Sequence, residues 1–501
     1  MSGSVDPAFL ALPLDRLADA ALSVVEQAAV THAEFRLERT RAAHASARDG
    51  HIESDSDGLS TGLSVRVLRD GTWGFAATSR ISVEDAAAVA GEALEVARTA
   101  AALSTERVEL APEPVHVAMW TSPYETNPFA LAPDERAAVM IDWTARLLSD
   151  PRVAHADARV LAVQEDKFYA DAAGTRTTQE RVRVHPAATA VAVDDRSGAF
   201  ETMRSVAPPC GRGWEYVLGT GWDWDEELAR LPELLDEKLR AQSLEPGPYD
   251  VVIDPTNLWL TIHESIGHAT ELDRALGYEA AYAGTSFATF DRLGSLRYGS
   301  PVMHVTGDRT VEHGLATVAF DDEGVESQEW DLVRDGVLVG YQLNRAMAAR
   351  QGFSRSNGCA FADSAGRVPL QRMANVSLRP APGGPTTQEL IAAVEDGLYI
   401  VGDRSWSIDM QRYNFQFTGQ RFYRIRHGRL VGQCKDLAYQ GVTTEFWGSM
   451  EAVGGEETYL LGGAFNCGKG QPGQVAAVSH GSPSALFRQV RILNTSAEAG
   501  R

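Results

Sequence analysis

Apolar positions recur at helical spacing near the start of the chain, where Leu14, Leu17, Ala18, Ala21, Leu22 and Val25 predict an amphipathic helix over residues 14–30. From residue 63 the period changes to two. Leu63, Val65 and Val67 alternate with Ser64 and Arg66, and Leu68 breaks the alternation just before Arg69. Asp70-Gly71 then supplies a turn and Trp73-Gly74-Phe75 a second strand, which together predict a β-hairpin over 63–78. An alanine-rich helix is expected from Ser82 to Leu103, with Ser82 as N-cap and Asp85 three residues on. Further helices are predicted over 133–148 and 225–242. Strands are predicted over 158–170 and 176–193, joined by a turn at Asp171-Ala172-Ala173-Gly174.

Glu245-Pro246-Gly247-Pro248 cannot continue the preceding helix, so the domain boundary is placed there, giving domains 1–245 and 246–501. The second half opens on a short apolar strand, Tyr249–Ile253. Asp254 then stands as N-cap and Pro255 at the first helical position of a helix expected to run to about Asp273. Glycine-punctuated strands follow, with one more helix near 387–397. No solenoid or propeller period is visible. The expectation is an α+β protein of two domains, with mixed sheets and helices in both.

Composition narrows the function. The 501 residues carry a formal charge of −22, and no basic block offsets it, which argues against nucleic acid as the main ligand. No apolar run reaches the ~18 residues of a membrane span, and Met1 to Asp6 lack a basic leader, so a cytoplasmic protein without a membrane partner is expected. The four cysteines, Cys210, Cys359, Cys434 and Cys467, lack the spacing of a disulfide framework. Only four of the 46 basic residues are lysines, a bias that reads as genome composition rather than function.

The strongest chemical signal is His263-Glu264-Ser265-Ile266-Gly267-His268. Imidazoles are good zinc ligands, and a neighbouring glutamate can activate a metal-bound water. The histidines stand at i and i+5, however, which in a regular helix leaves them ~140° apart. One reading widens the turn into a π-bulge around Gly267 and brings both rings to one face. The other keeps the helix regular and places Glu264, His268 and Glu271 on a shared face, as a different metal site or a polar surface. Gly463 to Gln471 nearly fits a phosphate-binding loop, but position 470 is glycine where a serine or threonine is needed, and Pro472-Gly473 leaves no room for the helix. Cys467 reads better as a thiolate ligand than as part of a phosphate loop, favoured by nearby Lys469, although local sequence alone favours an inert buried cysteine. Asp321-Asp322-Glu323-Gly324 lacks the spacing of a calcium loop and is expected to be a solvated turn.

Several motifs in order carry a resemblance. They are His263-Glu264-x-x-x-His268-x-x-Glu271-x-Asp273, Phe320-Asp321-Asp322-Glu323-Gly324 and Asp335-Gly336-x-Leu338-x-Gly340-Tyr341 with Asn344-Arg345. Ser356-Asn357-Gly358, Arg372-Met373-x-Asn375, Asp396-Gly397-Leu398-Tyr399 and Cys467-Gly468-Lys469-x-Gln471 follow. The chain resembles the TldD/PmbA family of metalloproteases, in its catalytic branch. The resemblance implies the distorted helix, a Zn2+ ion held by His263, His268 and Cys467, and Glu264 as general base. Glu271 and Asp273 are then expected to orient a histidine or to have no catalytic part. It also implies hydrolysis of short or unfolded polypeptides by paired subunits, as a homodimer or with a TldE/PmbA-like partner. A rival reading is a non-catalytic companion subunit whose metal site is vestigial or structural. The sequence departs from the commoner family pattern at Arg274–Tyr282 and Gly402–Asp409, where substrate contacts are expected.

Overall fold

The computed structural model describes residues 4–26, 28–194, 198–470 and 472–498. Met1 to Gly3, Gln27 of the first expected helix and Gln471 of the last motif lie outside them. The architecture is α+β in two domains. The first is a seven-stranded sheet of β1 (His32–Arg48), β2 (His51–Arg69), β3 (Thr72–Thr78), β4 (Val117–Thr121), β5 (His155–Asp171), β6 (Arg176–Val193) and β7 (Phe200–Arg204). Its order is β3-β2-β1-β5-β6-β4, with β7 also on β6, and all its pairings are antiparallel except β4 with β6. The predicted hairpin is present as the β2–β3 pair. Its first strand begins twelve residues earlier than expected, because His51–Ser60 is fully exposed and shows no alternation while pairing along β1.

The sheet has two chemically different faces, set by the period of two. On one, Phe35, Leu37, Val65 and Val67 pack beneath helices Leu14–Glu26 and Val83–Ala101. Further along the same face, Ala45, Ala158, Val160 and Val184 lie beneath Pro133–Leu148 and Trp224–Arg240, where Trp143 stacks on Trp224 at 4.4 Å. The opposite face is charged and buried. Glu34, Arg36, Glu38, Arg66, Glu165, Arg181 and Arg183 are all buried there, with Lys167 nearly so.

That charged face docks on the second domain. Arg66 binds Glu34 at 2.8 Å and Glu323 at 3.0 Å, and Lys167 binds Asp322 at 2.8 Å. Gln179 donates to the Phe320 carbonyl at 2.8 Å. The Asp321-Asp322-Glu323-Gly324 turn is therefore buried between the domains, contrary to the expectation of a solvated turn. Its acids are satisfied locally as well as across the interface. Asp321 accepts from the backbone N–H groups of Glu323, Val325 and Ala360 at 2.9 Å each, and Glu323 accepts from that of Arg345 at 2.9 Å. Charged residues thus form a domain interface because each is paired on arrival.

The second domain is built on a closed ring of five strands. Asp396–Ile408 pairs in parallel with Gly247–Ile253, which pairs with Ala485–Asn494, then Leu437–Val442, then Asn414–Arg426, which returns to Asp396–Ile408. Its core is aromatic, with Phe446 stacked on Phe487 at 4.3 Å. Helix Pro255–Ile262 leaves the ring as expected, its N-terminus capped by Asp254, which accepts from the Thr256 N–H at 3.0 Å. Asn257 bonds the carbonyls of Gly402 and Thr418 at 3.0 and 3.1 Å and accepts from Tyr439 at 2.8 Å, which pins this helix to the ring. The helix expected over 387–397 ends at Ala392, and Asp396 already begins a strand. No helix among the described residues is long and apolar enough to cross a membrane.

The interface makes a pH-dependent contribution to stability. Burial alone would raise the Glu34 carboxyl, but Arg66 and His32 hold it down at about 2, against 4.5 for a free glutamate. Its contribution is complete above pH 4.5 and is lost as pH falls towards 2. Glu34→Gln should lower stability at pH 7 by about 3 kcal/mol in urea unfolding, because Arg66 loses one of two buried partners. The difference from wild type should shrink as the pH is lowered towards 3.

Candidate metal centre

After Ile262 the helix widens. The His268 N–H donates to the carbonyl of His263, an i→i+5 bond, and His263–Gly267 forms one π-turn followed by a short 3₁₀ segment, His268–Thr270. The structure thus adopts the distorted alternative and not the regular helix. The two imidazoles meet with ring centroids 4.7 Å apart at 78°. A widened turn leaves carbonyls without their i+4 partners, and side chains take them. Tyr298 donates to the Ser265 carbonyl, Thr270 to that of Ile266 at 2.9 Å, and Gln342 to that of Gly267 at 2.7 Å. Gly267 itself keeps helical torsions, φ −53° and ψ −61°. A Cβ there would lie 2.6 Å from Met373 Sδ, so a larger residue would have to displace the end of that buried side chain.

Cys467 comes from strand Leu460–Lys469, which pairs with Gln474–Ser482. The register shifts between Ala464 and Cys467, and such a bulge re-aims a side chain. Arg372 fixes it by donating to the Cys467 carbonyl at 2.6 Å. The ligating atoms of His263, His268 and Cys467 all lie within 4.8 Å of one another and are buried, with Cys467 Sγ 3.7 Å from His268 Nε2.

Hydrogen bonds settle which ring nitrogens are free. His480 Nδ1 lies 2.9 Å from the Val376 carbonyl, which can only accept, so Nδ1 carries the proton and His480 Nε2 is an acceptor. That nitrogen sits 2.7 Å from His263 Nδ1, so His263 must donate there and keep Nε2 bare. Burial, and then the neighbouring His263, hold the His480 pKa well below its ordinary value, so His480 is neutral. Burial opposes charge on His263 too, but Cys467 raises its pKa, so its Nε2 gives up a proton when a metal binds. His268 Nδ1 lies 2.8 Å from Glu271 Oε2, which likewise leaves its Nε2 bare. Two bare Nε2 atoms and one sulfur thus converge on one point. His480 carries no motif, sits on a strand 217 residues from His263, and was not singled out from the sequence.

Lys469 does not act on the thiol as expected. Its ammonium is buried among Glu271 at 3.4 Å, Asp273 at 2.8 Å and Glu279 at 3.3 Å. It therefore braces the acid behind His268. Asp273 touches no histidine; burial and the neighbouring acids raise its carboxyl to about 6 despite Lys469. Burial works against the Cys467 thiolate, yet His268 and His263 bring its pKa well below the ordinary thiol value. Burial instead pushes the Cys359 thiol up to about 12 and raises Cys210 and Cys434, so these three remain neutral thiols.

Glu264 lies beside the triad, its Oε2 bound by the guanidinium of Arg412. Arg412 sits at φ 64° in a turn held by Asp409, whose carboxylate accepts from the backbone N–H groups of Gln411, Tyr413 and Asn414. This residue too was not singled out from the sequence. Glu264, the triad and Arg412 open onto a cleft of about 650 Å³. Its far wall is the first domain, which contributes Arg159, Leu161, His185, Ala187 and Arg204. The site therefore belongs to both domains.

Two imidazole nitrogens and a thiolate are a donor set for a borderline-soft divalent ion. Bonds of ~2.0–2.3 Å in a tetrahedron put ligands roughly 3.3–3.8 Å apart. The 3.7 Å between Cys467 Sγ and His268 Nε2 falls in that range. Residues 246–494 match the PmbA/TldA metallopeptidase C-terminal domain and residues 33–97 its domain 1. A metalloprotease of Methanocaldococcus jannaschii is 26% identical over 87% of this chain and 91% of its own length. A zinc metalloprotease TldD homolog of Saccharolobus solfataricus is 21% identical over 93% of this chain and 97% of its own. The crystal structure of TldE from Thermococcus kodakarensis shares the fold, with a TM-score of 0.71 at 15% identity over 95% of this chain and 99% of that one. The chain belongs to the TldD/PmbA family.

His480→Ala should weaken metal affinity about 10- to 100-fold by freeing the His263 ring, measured by zinc titration against a chromophoric chelator. His480→Gln, which can still accept from His263 Nδ1, should recover part of that loss. Unchanged affinity in His480→Ala would remove the relay from the account.

Proposed function

We propose that this chain is a zinc-dependent peptidase acting on short or unfolded polypeptides, with His263, His268 and Cys467 as ligands and Glu264 as general base. The observation that carries this reading is the triad's count and placement. Three buried protein ligands face a cleft, and no fourth His, Cys or carboxylate completes the group among the described residues. A structural zinc takes four protein ligands, whereas a catalytic one keeps a position open, which favours catalysis over a vestigial or structural site. A bound zinc supplies Lewis acidity to a carbonyl oxygen and to water.

The chain's own residues do the rest. Arg412 engages Oε2 of Glu264 and fixes the carboxylate's orientation, leaving Oε1 to accept a proton from water and return it to the leaving amine. Burial lowers the Arg412 pKa, with Glu264 opposing that shift. The substrate's backbone has a docking edge. Strand Leu460–Lys469 pairs on one side only among the described residues, and consecutive positions Gly462 to Gly468 line the cleft. Consecutive residues point to opposite faces, so an edge and not a face borders the cleft. An extended peptide adding to that edge would be read through its backbone. The partner in this reading is a second copy of the chain or a TldE/PmbA-like subunit, and the location is the cytoplasm.

Glu264→Gln should retain zinc and lose about 10²- to 10⁴-fold in kcat on unfolded polypeptides. Cys467→Ala should lose both zinc and cleavage. Unchanged cleavage in Glu264→Gln would remove the general-base role, and full zinc occupancy in Cys467→Ala would remove that ligand.

A further inference from the structure

The cleft runs against the charge of the whole molecule. A chain of net charge −22 lines it with Arg159, Arg204, Arg404 and Arg412 against only Glu264 and Asp403. Two of these arginines are committed. Arg412 binds Glu264, and Arg204 binds Asp403 at 2.9 Å. Among the described residues Arg404 reaches only Glu201, at 4.0 Å, and Lys238 also approaches that acid at 3.4 Å. Arg159 is exposed, and no ion pair or hydrogen bond engages its guanidinium among the described residues.

The register of the first domain's sheet explains why Arg159 stays free. Its partner across the β5–β6 pair is Ala187, and the next pair on the same face is Leu161 with His185. Asp157, two residues away on the same face, stands opposite Arg48 and pairs with it at 3.8 Å, which leaves Arg159 without that acid. His185 adds no charge of its own; its ring stacks on Phe465 at 5.9 Å and 8°. Burial, and then the charges of Arg159 and Arg204, lower the His185 pKa to about 4. Exposed Trp406 stands on the same strand as Arg404 and lines the same cleft.

We propose that the cleft selects peptides bearing a carboxylate, as an acidic side chain or a free C-terminus, and that Arg159 receives it with Arg404 in support. The inference rests on the peptidase reading above and adds the substrate's charge. A guanidinium fork matches a carboxylate with two parallel hydrogen bonds, and the cleft contains no lysine. Arg204 and Arg412 already hold acids of their own, which leaves unpaired Arg159 and the loosely paired Arg404 available to a ligand.

Binding of fluorescent peptides of one length to the full-length protein stripped of metal by a chelator, read by anisotropy, tests this without turnover and keeps Arg412 paired with Glu264. Four peptides are compared: acidic with an amidated terminus, neutral with a free C-terminal carboxylate, neutral amidated, and basic amidated. One of the two carboxylate peptides should bind about tenfold more tightly than the neutral amide, and which one does so identifies the carboxylate's source. Adding Arg159→Ala should abolish that advantage, and Arg159→Glu should transfer it to the basic peptide. In wild-type protein the kcat/KM ratio of carboxylate to neutral peptides should fall in the same order. Arg159 is exposed, so both variants should melt as the parent does. Should either melt lower, the carboxylate peptide's advantage in the parent must still shrink between 0.05 and 0.5 M salt. Equal binding of all four peptides, or a preference untouched by Arg159→Glu, overturns the charge selection and leaves the peptidase reading standing. Absence of both binding and cleavage for every peptide overturns the peptidase reading and this inference with it.

Discussion

The hydrogen bond from the His268 N–H to the His263 carbonyl brings the two imidazoles of the candidate metal centre together. With a regular i→i+4 repeat in its place, the same five-residue spacing would leave the two imidazoles ~140° apart. The widened turn is not stable on its own terms. Its carbonyls are held by Tyr298, Gln342 and Thr270, and its outer surface is shaped by Met373 against Gly267. Cys467 and His480 arrive from the two strands of one hairpin, while Arg372 fixes the carbonyl of the first. Folding of the whole second domain is what makes two histidines at i and i+5 into a pair.

The first domain completes this centre in a different way. Strict alternation gives its sheet one apolar face for four helices and one charged face for the second domain. The charged face pairs with Asp322 and Glu323 near one end and becomes the wall of the cleft further along, at Arg159, Leu161 and His185. The same strands thus supply both adhesion and the wall of the cleft. Buried ion pairs are weak evidence of stability, but they impose register, because a one-residue slip would bury each charge without its partner.

The parts of this arrangement that depend on neighbours in sequence were legible in it. The helix caps, the β2–β3 hairpin, the His263-Glu264-x-x-x-His268 spacing and the near-miss of the phosphate loop all follow from local chemistry. The exposed start of β2 was hidden because a strand with both faces wet shows no period. The burial of Asp321 to Glu323 was hidden because a run of acids is normally solvated, and its partners Arg66 and Lys167 lie over 150 residues away. His480 and Arg412 belong to no motif; each acts through a single long-range bond, to His263 and Glu264. Lys469 was visible, but its three acids draw it behind His268 and away from the thiol.

The central claim is that one ion is shared by both histidines of the π-turn and by Cys467. X-ray absorption at the zinc edge of the reconstituted full-length protein tests it directly. The account predicts two imidazole nitrogens at ~2.0–2.1 Å and one sulfur at ~2.3 Å, with any further ligand a light atom. A spectrum with no sulfur in the first coordination sphere, or with a single imidazole, would contradict it.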